Sequence, residues 1–389
     1  MNAKNGFRHL AAFLSIMFFF SCGLALVQET REDEWAARQG EKATRLRPYE
    51  PTPLERRVEQ IGNLLNLTKR PVCPFIGSTF GGGGLALGLG LRARYGDTGI
   101  VDAHIAWSAK DHKLADGSVK LPTFASNRIG VELRANWLDA PNVAFYRTGN
   151  DSLETSRTIL SYRTATVGIA TRVQATKFFA VGGGLDAIRI ESGQSATFSW
   201  AAAGPMYRRG HVFAEVDWRQ SPGYTTRGGL YRVDWSDYRQ TNAGAYSFSR
   251  VDAELRQFIP ILHENWVIAL RVLGSTTSVV CGQNVPYVLM PDLGGSHTLR
   301  GYPAWRFRDR HRLLLTVEYR WKAGQLVDMA LFIDAGEVAP RLRDFDSRNF
   351  RKTYGLGMSV HTPISTVTRV EVARTREGTS LILSFSPSF

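Results

Sequence analysis

The residues that could carry chemistry are scattered along this chain of 389 residues. Its eight histidines form no H-E-x-x-H pair and no Cys/His spacing suited to a metal. There is no G-x-S-x-G nucleophile elbow and no paired catalytic carboxylate constellation. The run Gly84-Leu85-Ala86-Leu87-Gly88-Leu89-Gly90 superficially matches a phosphate-cradling loop, but no βαβ pattern surrounds it, so it reads as strand glycines. No metal, no cofactor and no enzymatic activity are expected from these residues. What remains is charge. The chain carries +13 with a pI near 9.8, and what that charge does depends on the elements that present it.

Those elements begin after an export signal. Lys4 and Arg8 precede an apolar run over Leu10–Phe20, and Gly23-Leu24-Ala25 supplies small residues, which predicts a secretory signal peptide over 1–25. Lipid attachment at Cys22 is the alternative processing route, although Phe19-Phe20-Ser21 before it fits poorly. Cleavage lowers the charge to about +11. Beyond residue 25 no apolar run approaches the length of a spanning helix. A mean hydropathy of −0.18 argues against a helical polytopic membrane protein but not against a membrane barrel, whose strands alternate. Cys73 and Cys281 remain after export, and a disulfide between them is not expected, because barrel topology would separate them.

The period along the chain is two. Leu85, Leu87, Leu89, Leu91, Ala93 and Tyr95 oppose Ala86, Gly88, Gly90, Arg92 and Arg94. The same alternation sets Ile129, Val131, Leu133 and Trp137 against Glu132 and Arg134, and Leu313, Leu315, Val317 and Tyr319 against Glu318 and Arg320. A soluble sandwich would show this pattern too. Three features favour a transmembrane antiparallel β-barrel. The segments run to about ten residues. Trp and Tyr stand near segment ends, as at Tyr95, Trp137, Trp266 and Trp321. The chain also closes on an alternating segment, Ser380–Phe389. The fold class expected is therefore all-β, a barrel of about 16 strands over 73–389, with the first strand at Leu85–Tyr95 and a long loop over about Gly274–Arg310. Residues 26–72 form a short periplasmic segment. Thr52-Pro53-Leu54-Glu55 is a capping box, and Val58, Ile61, Leu64 and Leu65 predict an amphipathic helix over about Pro53–Leu67. That helix is either a periplasmic linker or a plug for the lumen.

The C-terminal third carries a family resemblance. Leu293-Gly294-Gly295-Ser296-His297-Thr298-Leu299-Arg300-Gly301-Tyr302 is followed by Arg306-Phe307-Arg308-Asp309-Arg310, Glu318-Tyr319-Arg320 and Phe332-Ile333-Asp334-Ala335-Gly336. This series resembles the bacterial surface antigen family, the barrel domain of BamA/TamA-type outer-membrane proteins. Phe145–Ser152 is similar to a further element of that family, and the terminal Phe389 resembles its assembly signal. The resemblance implies that the long loop folds back into the lumen and that Arg300, Gly301 and Tyr302 form its tip. It also implies that Arg300 sets its guanidinium against Glu318 and Asp334, with Phe332 and Gly336 beside them. Strand parity agrees, since Phe332, Asp334, Gly336 and Glu318 all fall on the lumen face. A guanidinium forked between two carboxylates would offset the ordering entropy of so long a loop. One departure stands out. Family members carry periplasmic POTRA domains, and about 45 residues between signal and barrel are too few for one.

Two functions follow. The first is a factor for insertion or translocation of client outer-membrane proteins. Gly84, Gly88 and Gly90 on the first strand and Phe389 on the last would make a weak lateral seam, and a client strand would be templated there. A periplasmic helper would join through the N-terminal segment. The second is a passive or loop-gated pore, in which lumen Arg92, Arg94, Arg134, Arg256, Arg271 and Arg320 would favour anions, or a structural barrel. The partners expected are outer-membrane lipids and lipopolysaccharide, whose phosphates suit the basic charge, with no nucleic acid.

Overall fold

The computed structural model describes residues 71–389, apart from 194–203, 243, 262–264, 363–364 and 386. The signal peptide over 1–25 and the helix over about Pro53–Leu67 lie outside the described residues. The strands in chain order are β1 (Val72–Gly77), β2 (Ala86–Tyr95), β3 (Gly99–Ser108), β4 (Lys113–Lys120), β5 (Ile129–Phe145), β6 (Thr158–Gln174), β7 (Phe179–Glu191), β8 (Met206–Asp217) and β9 (Gly228–Gln240). Then come β10 (Phe248–Ile261), β11 (Trp266–Val279), the short β12 (Asp292–Leu293) and β13 (Phe307–Arg308), β14 (His311–Lys322), β15 (Val327–Ala339), β16 (Arg351–His361), β17 (Thr366–Arg374) and β18 (Thr379–Ser384). All but β12 and β13 join one antiparallel sheet of 16 strands in chain order, curled into a nearly closed barrel.

The barrel is inverted relative to a soluble core, as the alternation demands. Leu331 and Ile333 are exposed outward while Phe332 and Asp334 are buried inward. The long connections 146–157 and 280–310 leave one end of the barrel, and short turns such as 96–98, 175–178 and 323–326 close the other. Outer-membrane barrels place long loops outside and short turns in the periplasm, so β1 rises from the periplasmic side. The extracellular half of the lumen is filled. Leu160, Ile190, Tyr207, Tyr238 and Phe248 point inward and pack against Val285, Tyr287 and Val288 of the 280–310 loop.

Three strand expectations are corrected. A six-residue strand, β1, precedes Ala86–Tyr95, so Gly88 and Gly90 sit on the second strand, laddered on both sides. Pro74 masks β1 in the sequence, and proline is tolerated there because β1 is an edge strand. Gly84 lies in the preceding loop at φ +74°. The last strand ends at Ser384, not at Phe389. Leu381 and Leu383 face outward as alternation requires, but Phe389 turns inward and is buried with Phe258, Val267 and Ala269. β11 also continues to Val279, taking the first six residues of the expected loop. Replacing Phe389 by alanine is expected to remove about 3 kcal/mol of apolar packing. A lower midpoint for heat-induced loss of the compact gel mobility would register it.

Candidate functional site: an arginine latch in the barrel lumen

The tip of the 280–310 loop is a tight hairpin turned inward. Gly294 and Gly295 have positive φ, the Gly295 amide donates to the Tyr302 carbonyl at 2.9 Å, and Thr298 Oγ1 donates to the Gly294 carbonyl at 2.7 Å. Leu293, Leu299, Tyr302 and Phe307 anchor it against Leu273, Leu314 and Val338 of the barrel wall. Gly336 leaves the room this needs, because a Cβ there would lie 3.1 Å from Leu293 Cδ1 and 2.8 Å from the Leu313 carbonyl oxygen.

The hairpin carries Arg300 into a cluster of carboxylates. Its Nε and Nη2 donate to the two oxygens of Asp334, each at 2.8 Å, and its backbone amide donates to Asp334 Oδ2 at 3.2 Å. Nη1 donates to Glu318 Oε2 at 2.9 Å and to Glu371 Oε1 at 2.8 Å. The guanidinium carbon stands 3.5 Å from the Phe332 ring centroid, a cation–π contact in a desolvated site. Arg300, Glu318, Asp334 and Glu371 are each no more than 2% exposed. Arg320 Nε donates to Glu318 at 2.7 Å, and Arg369 Nε lies 3.0 Å from Glu371. Three guanidinium groups thus face three carboxylates, and the cluster is neutral. Burial of ions is tolerated on that condition.

The structure therefore brings together all seven residues assigned to the latch: Arg300, Gly301, Tyr302, Glu318, Phe332, Asp334 and Gly336. Sequence reasoning missed Glu371, which the Arg369-Val370-Glu371-Val372 alternation places inward. It also missed Gly355, where a Cβ would lie 2.4 Å from Phe332 Cζ, so the ring lies on a bare strand. Ser388 was missed too: its hydroxyl donates to Glu318 Oε1 at 3.2 Å and accepts from Arg320 Nη2 at 2.7 Å. The inward turn of the chain's last residues thus reaches the latch itself. His297 beside the tip has its pKa pushed down by burial and by Arg369 and Arg271. The root of the loop is tied to the Phe145–Ser152 element, where Arg306 donates to the Ser152 hydroxyl and carbonyl and the Gly149 amide donates to the Arg308 carbonyl.

The four residues assigned to a lateral seam are not gathered. Gly88 is required by close approach of β3, since its Cβ would strike the Ile105 carbonyl oxygen, and Gly90 faces Cys73, whose thiol donates to its carbonyl. Cys73 is buried, Cys281 is exposed, and both are free. Five of the six lumen arginines stand beside acids, Arg92 with Asp102, Arg134 with Asp186, Arg256 and Arg271 sharing Glu254, and Arg320 with Glu318, while Arg94 has no acid partner among the described residues. At the periplasmic mouth the 218–227 turn reaches across to the turn between β16 and β17. The Thr366 amide donates to the Gly223 carbonyl, Tyr224 stacks on His361 at 3.8 Å, and its hydroxyl donates to Asp328.

The fold is that of an outer-membrane barrel, with 16 strands and a returning loop whose Arg300 is buried against the wall. The sequence matches the Omp85 superfamily domain over residues 118–374, and the chain belongs to that superfamily. The family barrel places the protein in the bacterial outer membrane. Among solved structures it is similar to BamA from Haemophilus ducreyi lacking POTRA domains 1-3. That likeness has a TM-score of 0.64 at 12% identity and covers 79% of this chain and 69% of the other. It is also similar to CdiB from Escherichia coli, with a TM-score of 0.55 at 12% identity, covering 85% and 67%. At such identities the likeness is one of fold. No curated protein matches the sequence.

Proposed function

We propose that this protein is a factor for insertion or translocation of outer-membrane proteins, acting at the junction of its first and last strands and catalysing no covalent reaction. The observation that carries the proposal is the state of that junction. No ladder joins β1 to β18 among the described residues, each is six residues long, and Phe389 lies in the lumen instead of on the strand. Unpaired strand edges are templates for a client strand. Acids beside five of the six lumen arginines and a loop that fills the extracellular half of the lumen weigh against an anion-favouring pore. Clients would be unfolded outer-membrane proteins, and a periplasmic helper would meet the segment before β1.

The test uses cysteine pairs scanned between 72–77 on β1 and 379–384 on β18, in a background with Cys73 and Cys281 replaced by serine. In liposomes the reduced protein should speed insertion of an unfolded client barrel, and the disulfide-locked protein should lose most of that rate. Equal rates from locked and reduced protein, or no stimulation by either, would sink the proposal.

A further inference from the structure

The outward face of the barrel carries a basic patch and an apolar dent that the reading above does not use. Arg189, Arg208 and Arg239 lie on the lipid-facing side of β7, β8 and β9 and are exposed. Each is within two residues of the extracellular end of its strand. Below them, toward the middle of the membrane, the same face continues as Leu185, Val212, Val233 and Trp235. Arginine on a lipid-facing surface is costly at the bilayer midplane, by about 2–4 kcal/mol, and nearly free at the interface. The patch therefore marks the level of the outer-leaflet headgroups.

Its charges are balanced by the protein only in part. Arg189 pairs with Glu191 at 2.7 Å and Arg239 with Asp237 at 2.6 Å, while Arg208 pairs with no acid among the described residues. Arg208 is in register directly opposite Arg239. Like charges facing each other across a ladder destabilise it, and an external anion relieves that repulsion. Arg163, in register with Glu191, lies one strand further on but pairs with Asp139 at 3.1 Å and with Glu191 at 3.7 Å, so the unmatched charge of this face is that of Arg208.

The dent adjoins the patch. Ala103, Gly117 and Ala135 stand side by side on β3, β4 and β5, walled by Ile105, Trp137 and Val167. They leave an apolar hollow of about 530 Å³ in the barrel's outer surface. Ala165 on its edge is in register opposite Arg189. A ligand that spans both features has phosphate at the headgroup level and a hydrocarbon chain beneath it.

We infer that this face binds lipopolysaccharide, the phosphate-bearing saccharolipid of the outer leaflet, with its phosphates on Arg189, Arg208 and Arg239 and an acyl chain in the Ala/Gly-lined dent. The site is separate from the β1/β18 junction, and its failure would leave the insertion reading untouched.

The test is lipid retention by native mass spectrometry on the refolded full chain, offered bisphosphorylated lipid A, dephosphorylated lipid A or phosphatidylglycerol. The wild type should retain bisphosphorylated lipid A at least tenfold better than either competitor. The triple variant R189Q/R208Q/R239Q should lose that preference while keeping its heat-modifiable gel mobility, since all three side chains face outward. Gly117→Leu, which fills the dent and leaves the arginines alone, should lower retention several-fold. Equal retention of phosphatidylglycerol by the wild type would reduce the face to general lipid contact and overturn the inference. Unchanged retention by the triple variant would do the same. Gly117→Leu binding lipid A like the wild type would remove the acyl-chain part of the site.

Discussion

Replacing Arg300 by alanine should convert a closed barrel into a conducting one. The substitution removes four hydrogen bonds at once, the two to Asp334 side-chain oxygens and those to Glu318 and Glu371, and leaves the backbone amide of residue 300 to Asp334. Glu318 keeps Arg320 and Glu371 keeps Arg369. Asp334 is left with two neutral donors among the described residues, the Thr316 hydroxyl at 2.9 Å and the residue-300 amide at 3.2 Å, and with no cation. A buried charge stripped of its counter-ion costs about 3–5 kcal/mol. The cheapest relief is for the loop to leave and let water reach Asp334. Planar-bilayer recordings should show a quiet wild type and frequent large openings in Arg300→Ala, and trypsin should reach Arg306 and Arg308 in the variant alone. Asp334→Asn in the Arg300→Ala background should recover part of the lost stability, because the stranded charge is gone. A wild type with stable conductance that Arg300→Ala leaves unchanged would refute the latch and favour a passive pore.

Gly301→Val should release the same loop without touching a charge. Gly301 holds φ +90°, a region that disfavours side chains. A Cβ there would lie 2.9 Å from both Ala373 Cβ and Thr375 Cγ2 on the barrel wall. Backbone strain alone is worth about 1–3 kcal/mol, and the branched side chain adds a collision with β17 that the loop can escape only by lifting. Conductance should therefore resemble that of Arg300→Ala. Gly301→Ala should show a weaker form of the effect, and Ala373→Gly should rescue the alanine variant in part by removing one of the two colliding atoms. If Gly301→Val stays closed and protease-resistant, the tip tolerates displacement and the fit at Ala373 does not matter. The two variants separate the electrostatic half of the latch from its steric half.

Much of the latch was legible along the chain because strand parity is strict. Once Leu331 and Ile333 are lipid-facing, Phe332 and Asp334 must face the lumen, and the same argument turns Glu318 inward. Parity says which face a residue is on but not which residues meet across a barrel. Glu371 was overlooked for that reason: it is 71 positions from Arg300, and only barrel curvature brings the two together. Gly355 beneath Phe332 is another contact between strands that the one-dimensional pattern leaves open.

The glycines assigned to the seam show where local reading failed. Glycines at 84–90 looked like a loose first strand because a six-residue strand containing Pro74 is too short to register as period two. With β1 in place, Gly88 and Gly90 serve close strand approach inside a ladder. Phe389 failed differently. Its parity with Leu381, Leu383 and Phe385 holds only while the chain stays extended, and the chain leaves the sheet after Ser384.

Two properties were determined by the sequence alone. The period of two, taken with segments of about ten residues and aromatics at their ends, points to a membrane barrel, because only a closed sheet satisfies its backbone in lipid. The Arg300-Gly301-Tyr302 tip and the inward Phe332, Asp334 and Gly336 carry the family resemblance, and that resemblance implies a loop that returns to the wall. Three others were decided by the tertiary structure: the third carboxylate of the latch, the capture of the chain end beside it, and the convergence of Arg189, Arg208 and Arg239 on the outer face. Each depends on residues far apart in the chain meeting through strand register and barrel closure, and no local pattern encodes the distance between them.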